Sequence, residues 1–420
     1  MQVQEHGPRA ARAAQLRRTL VAFQRPLLVT LAIGLAFAGG VELILKIWRL
    51  AGPQREIDLR ASSITVLYRV TLAWFEGEPV YTFPNNISLY PPATWLLLWP
   101  TYSWLTFDQA RLLWTFINLA ALAALCLLCA RAMSGQGRLA SLCAGLAPLS
   151  VPAMADSFGI GQLTIVVLPL TIGAVVIAAR TQPTWWSDAA AAALFVIALM
   201  KPNLTAPFFL PLVIVSRRIR LVAFVIFGYA VLTYAASLAQ PVGLVTQIRD
   251  WLRYMRGVAG EGYGNLQSLL IWLEWPEAFF PLVLALVIAL AAWVWWCRRS
   301  DVWILLAVAA IVARLWTYHR VYDDAVLLIP VIALARMVGR DTDDVDWLQD
   351  LAVLIGFAAI LWIPLQFHYA GSTLGAFTVT RPWTVAFNMS HTVAAVAALV
   401  YLARRGVHEA ASLSDPHKWT

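Results

Sequence analysis

Apolar runs of about 17 to 22 residues recur from one end of this chain to the other, each long enough to cross a hydrocarbon core of roughly 30 Å as a helix. This repetition leaves little choice of fold. In lipid every backbone N–H and C=O must be bonded internally, and uninterrupted apolar runs achieve that as helices. Spans are expected near residues 26 to 48, 110 to 130, 138 to 155, 160 to 180, 187 to 200, 203 to 216, 219 to 240, 278 to 297, 301 to 318, 324 to 340, 348 to 367 and 384 to 404. The fold class is therefore all-α, a polytopic membrane protein of about twelve transmembrane helices. Of the 420 residues 60% are hydrophobic and only 13% charged, with a mean hydropathy of +0.70, far from an ordinary soluble domain. The 20 tryptophans and 12 tyrosines gather near the ends of the runs, where amphipathic rings meet the headgroups.

Charge sets the expected orientation. The N-terminal arm, residues 131 to 138, 217 to 220, 298 to 299, 336 to 340 and 404 to 405 are basic and fall on alternate sides of the spans, so they are expected in the cytoplasm. The chain then divides into a cytoplasmic arm (1–25), one transmembrane domain (26–404) and a cytoplasmic tail (405–420). Residues 49–109 and 241–277 form the two large extracytoplasmic loops. The first run is too long for a signal peptide and reads as an uncleaved span. The net charge of +8 is scattered through short loops, which points to anionic lipid headgroups as partners and away from nucleic acid. Cys126 and Cys129 form a CxxC inside an apolar run with no partner pair, so they read as small apolar side chains; no disulfide, metal or cofactor is expected.

Within the first outward loop, Ile64, Leu67, Tyr68, Thr71, Trp74 and Phe75 recur at helical spacing, which predicts a helix lying on the membrane surface. The following "ATWLLLWPTYSWLTF" is too short to span and is broken by Pro100, so it is expected to dip part-way into the bilayer. Proline after Lys201 should bend or break the helix there.

Ionisable groups at membrane depth are costly and therefore candidates for function. On this map they gather on one face: Asp58, Tyr90-Pro91-Pro92, Asp156, Gly161-Gln162, Lys201-Pro202, Arg314, His319, Arg320 and Asp323-Asp324. Each has a plainer alternative. Asp58 suits a solvated carboxylate paired with Arg55 or Arg60, Lys201 an ammonium snorkelling to headgroups, Gln162 a helix–helix hydrogen bond, and His319 an interfacial imidazole bonded to a carbonyl. Asp323 and Asp324 are close enough to His319 and Arg320 for local ion pairs. Together the set suggests chemistry at a membrane face, with one carboxylate taking a proton from a sugar hydroxyl and cations neutralising a phosphate.

The order of an acid after the first span, then "GEPVY", "LYPPATWLLLWP", "GQLTIVVLPL", "ALMKPNL" and a late "YHRVYDD" resembles glycosyltransferase family 87, from about residue 57 to 335. The resemblance implies a GT-C fold and an inverting transfer from a polyprenyl-phosphate sugar donor to a glycolipid acceptor, on the extracytoplasmic face of the cytoplasmic membrane. Mannose transfer to a phosphatidylinositol mannoside, as by the mycobacterial member, is the first expectation, and arabinofuranose transfer from decaprenyl phosphate the second. Carried over by position, Asp58 is the general base and His319 holds the donor phosphate or the acceptor; Tyr90, Gln162, Lys201, Arg314 and Arg320 are the substrate-binding candidates. Two departures stand out: Leu59 replaces the aromatic that often follows the acid, and the asparagine-glutamine-serine element survives only as the spaced "GNLQS" of residues 264 to 268. A lipid or sugar transporter is the competing class, but the spans show no internal repeat and the polar residues crowd one face instead of the mid-depth that alternating access favours.

Overall fold

The computed structural model describes residues 8–52, 63–81, 89–258, 264–340, 344–363 and 381–414. Among these the regular structure is entirely helical. In chain order the helices are α1 (Pro8–Ala22), α2 (Gln24–Ala51), α3 (Ser63–Phe75), α4 (Pro92–Tyr102), α5 (Phe107–Ala132), α6 (Arg138–Ser150), α7 (Pro152–Gly159), α8 (Leu163–Arg180), α9 (Trp185–Ala198) and α10 (Pro202–Thr205). They continue with α11 (Phe209–Ser216), α12 (Ile219–Ser237), α13 (Leu244–Val258), α14 (Leu266–Trp272), α15 (Phe279–Trp296), α16 (Val302–Leu315), α17 (Leu328–Val338), α18 (Asp344–Leu361) and α19 (Arg381–Ser414). The sequence "HYAGSTLGAFTVTRPW" falls largely outside the described residues.

Helices occupy the places of the expected spans, but only some are long enough to cross unaided. Four of the described helices are long and apolar enough to cross a membrane unaided: α2, α5, α12 and the stretch Pro276–Trp296. A fifth arises if α6 and α7, bent by 49° at Pro152, are one span. Several of the others are short because a proline or a polar break divides them. Lys201 and Pro202 separate α9 from α10 as expected, and the run begun at 324 enters regular α-helix only at Leu328, after a 3₁₀ turn over Val321–Leu327. The long helices leave their apolar flanks uncovered: Phe37, Ile44, Phe227 and Trp296 are each more than two-thirds exposed. An apolar surface of that extent marks a membrane protein.

At the centre stand α16 and α17. Every residue of α16 from Trp303 to Arg314 is buried, as befits a helix apolar on all sides. α16 packs on α17 and α19, and the 3₁₀ turn before α17 packs on α7. The loops meet in two groups, one at each end of the bundle. Arg17 pairs with Asp344, Gln136 donates to the Arg336 carbonyl and Arg405 pairs with Asp346 at one end; residues 63, 90, 162, 201 and 314 to 324 meet at the other.

The helix expected on the membrane surface forms as α3, but its apolar face looks into the protein. Ile64, Leu67, Val70 and Trp74 are almost wholly buried, packed towards α4 and α5, and Trp74 Nε1 donates to the Ala236 carbonyl at 2.9 Å. An amphipathic pattern reports only that one face is apolar; here other helices, not lipid, cover it. α4 is 11 residues long, about 16 Å by helical rise, and carries Pro100 inside it, in keeping with a segment that does not cross.

Candidate active site at one end of the bundle

Each polar side chain reaches this end by a local device. Pro91 and Pro92 start α4, where a missing N–H costs nothing, and so hold Tyr90 just ahead of the helix. Gly161 takes φ +70°, and a Cβ there would stand 3.0 Å from Ile64 and 3.2 Å from Trp114, so only glycine fits the turn that delivers Gln162 to the start of α8. Trp114 Nε1 donates to the Gly161 carbonyl and the Ile64 amide to the Ile160 carbonyl, fixing that turn against α3 and α5. Lys201 immediately precedes α10. Arg314 lies in the last turn of α16, where a cation suits the negative end of the helix dipole.

Two charge pairs form the centre. Lys201 Nζ lies 2.5 Å from Asp323 Oδ1 and donates to Thr164 Oγ1 at 2.9 Å, while the same hydroxyl donates to Asp323 at 2.6 Å. Gln162 Oε1 is 3.4 Å from the ammonium and accepts the Tyr90 hydroxyl at 3.1 Å; Gln162 Nε2 donates to Ser63 Oγ at 2.7 Å. Beside this, Arg314 Nε and His319 Nε2 both meet Asp324 Oδ1, at 3.1 and 2.8 Å, and Arg314 Nη1 donates to the Gly264 carbonyl. The paired side chains are all within a few per cent of complete burial. Burial alone would raise the Asp324 carboxyl; the Arg314 charge, the His319 hydrogen bond and the His319 and His391 charges outweigh it and hold Asp324 well below the usual carboxylate range.

Among the described residues, several buried polar atoms at this end have no partner: His319 Nδ1, Asp323 Oδ2 and Asn265 Nδ2. Buried polar groups are normally satisfied, so this cluster beside the ion pairs makes the region a candidate ligand site. Among the described residues no three His, Cys, Asp or Glu side chains converge in a way that could hold a metal.

Tyr90, Gln162, Lys201, Arg314 and His319 are thus brought into one hydrogen-bonded region. Asp58 lies outside the described residues, together with Arg55, Glu56 and Arg60. Lys201 does not snorkel; it is buried and paired. The expected local pairing of Asp323 is also corrected, since its partner is Lys201, 122 positions away, and Arg320 instead donates to the Tyr318 hydroxyl at 2.6 Å and lies over that ring. For Asp324 the local pair with His319 does form.

The sequence reading underrated Thr164, Asp323, Asp324 and His391. Adjacent acids beside a wholly apolar helix are a usable signal; a threonine in "GQLT" and a histidine within a long apolar run are weaker ones. "GNLQS" acquires a positioning role. Asn265 caps α14 in a reciprocal box with Ser268, Gly264 offers its carbonyl to Arg314 and Thr392, and Gln267 accepts from Thr317, next to the His319 turn.

Comparison with curated proteins and with solved structures finds no significant match for this chain. The sequence profile of glycosyltransferase family 87 matches residues 89–328, more than half of the chain and the whole stretch from Tyr90 through Asp324. The chain belongs to glycosyltransferase family 87.

Proposed function

We propose that this glycosyltransferase moves mannose from polyprenyl-phosphate mannose to a hydroxyl of a membrane glycolipid, in first choice a phosphatidylinositol mannoside, with inversion, on the extracytoplasmic face of the cytoplasmic membrane. The observation that carries the reading is the convergence of Tyr90, Gln162, Lys201, Arg314 and His319 on the Asp323–Asp324 pair, at the end of the bundle opposite most of the basic loops. A largely apolar cavity of about 360 Å³ near this end, lined by Gln267, Ile271, Pro276, Glu277, Phe279 and Phe280, suits a substrate with a lipid tail.

In this reading Asp58 is the general base. Ser63, five positions later in the chain, is hydrogen-bonded to Gln162, which ties the start of α3 to the charged centre. Asp58 takes the acceptor hydroxyl proton, the acceptor oxygen bonds to the anomeric carbon, and the opposite C–O bond breaks with its electron pair passing to the departing polyprenyl phosphate. Lys201 and Arg314 already share carboxylates, so they serve as preorganised donors rather than as surplus charge. Arg320, beside Tyr318 in the same turn, adds a further guanidinium to this end.

The test is transfer from radiolabelled polyprenyl-phosphate mannose by the detergent-purified chain. Asp58→Ala should lower the rate by about a hundredfold or more, the scale of general-base catalysis; an undiminished rate removes Asp58 from that role. Competition with polyprenyl-phosphate arabinose discriminates the sugar. Donor that crosses sealed vesicles without ever being transferred would overturn the reading in favour of transport.

A further inference from the structure

Helix α13, "LVTQIRDWLRYMRGV", belongs neither to the charged centre nor to the apolar core. It follows closely on α12, a membrane-crossing candidate, and is tied to its end: Gln247 Nε2 donates to the carbonyls of Ser237 and Val242 at 3.0 and 2.7 Å. Its inner face is covered, with Gln247 buried and Trp251 and Tyr254 packed against the main core. Its outer face is a single stripe at i, i+4, i+7 and i+8: Val245, Arg249, Leu252 and Arg253. Val245 is 81% exposed, and the arginine side chains are 64% and 69% exposed. Asp250 stands between them, 3.0 Å from Arg253 and 3.9 Å from Arg249, so one carboxylate serves two guanidinium groups and the stripe keeps a positive excess.

Apolar side chains alternating with cations on one exposed face, at the end of a crossing helix, match a bilayer boundary: the first enter the acyl region and the second meet phosphates. We infer that α13 is an interfacial helix that binds anionic phospholipid through Arg249 and Arg253, with Val245 and Leu252 inserted beside the headgroup. The site connects to the catalytic end. Trp251 Nε1 donates to the Leu89 carbonyl at 3.2 Å, and the next residue is Tyr90, so a lipid held on α13 steadies the loop that presents Tyr90.

Native mass spectrometry of the full chain, carrying phosphatidylglycerol or phosphatidylcholine from mixed micelles, tests this without reference to the sugar transferred. The chain should retain phosphatidylglycerol in preference, and Arg249→Gln with Arg253→Gln should reduce that retention by about fivefold for each charge removed. Asp250→Asn should increase it, and decides the matter if the double variant fails to fold. Equal retention of the two lipids by the unaltered chain, or retention of phosphatidylglycerol that neither Arg249→Gln with Arg253→Gln nor Asp250→Asn changes, overturns the inference.

Discussion

Helix α16 has a charge network at each end, about 21 Å apart by its 14 residues, and the two are built on different terms. At the Arg314 end, Lys201–Asp323 and Arg314–Asp324 are 1 to 3% exposed and partnered by Thr164, Gln162 and His319. At the other, Asp301 caps the helix by accepting the Trp303 amide and takes Arg336 and Arg340, while Glu409 accepts the Asp301 amide. Arg405 joins Asp346 and Asp350, and Tyr401 donates to Asp350 at 2.5 Å. This second network borders a cavity of about 240 Å³; Arg340 and Asp346 keep 47% and 39% of their side-chain surface exposed, while the side chains of Arg336, Asp301 and Asp350 are largely buried. It staples α16, α17, α18 and α19 together. All its ionic members except Asp301 lie beyond residue 328, where the family match stops. Burial without water is costly for charge and is tolerated where chemistry uses it; partly hydrated pairs can be simple fasteners.

The largest effect should come from breaking the dry pair. Lys201→Met leaves the Asp323 carboxylate buried and uncompensated, a loss of about 3–5 kcal/mol in denaturant unfolding in detergent. Lys201→Met with Asp323→Leu should recover most of that stability yet no sugar transfer. If the double variant transferred at the original rate, the pair would be a fastener like the one at the other end.

Asp301→Asn sharpens the contrast from the opposite side. It weakens two charge-assisted bonds while keeping a capping oxygen, so about 2 kcal/mol should be lost, and transfer per folded molecule should be unchanged. A catalytic defect in folded protein would end the distinction.

The smallest effect concerns pH. Asp324 is held below its unfolded value, so its stabilisation is complete above about pH 4 and disappears as the pH falls through the lowered folded value. Glu409 is pushed up, first by burial, despite the Asp301 amide it accepts; its contribution is present below the unfolded value and is lost as the pH rises through the raised one. Unfolding curves between pH 6 and 3 should therefore lose opposite components in Asp324→Asn and Glu409→Gln. Parallel curves for the two variants would show that the ends are electrostatically alike.

The helices were legible because length and apolarity are properties of a segment. Tyr90, Gln162, Lys201, Arg314 and His319 also stood out, since polar groups flanking apolar runs are conspicuous. Partners were less legible. Nothing in the local sequence directs Asp323 to Lys201 over the nearer Arg320, and the apolar face of α3 carries the same pattern whether lipid or protein covers it. Hydropathy registers an apolar stretch without its breaks: Lys201-Pro202 and the turn at residues 321–327 divide stretches into shorter helices, so length and apolarity mark only four or five of the described helices as crossing.

What the sequence determined by itself is a helical membrane protein whose charged residues sit mostly between its apolar runs. Backbone groups that lose water must bond within their own segment, and the apolar runs allow that in only one way. The tertiary structure decided which charges meet. Lys201 with Asp323 and Arg314 with Asp324 form because α16 is packed on every side, and there an ion lacking water is tolerable only beside its counterion.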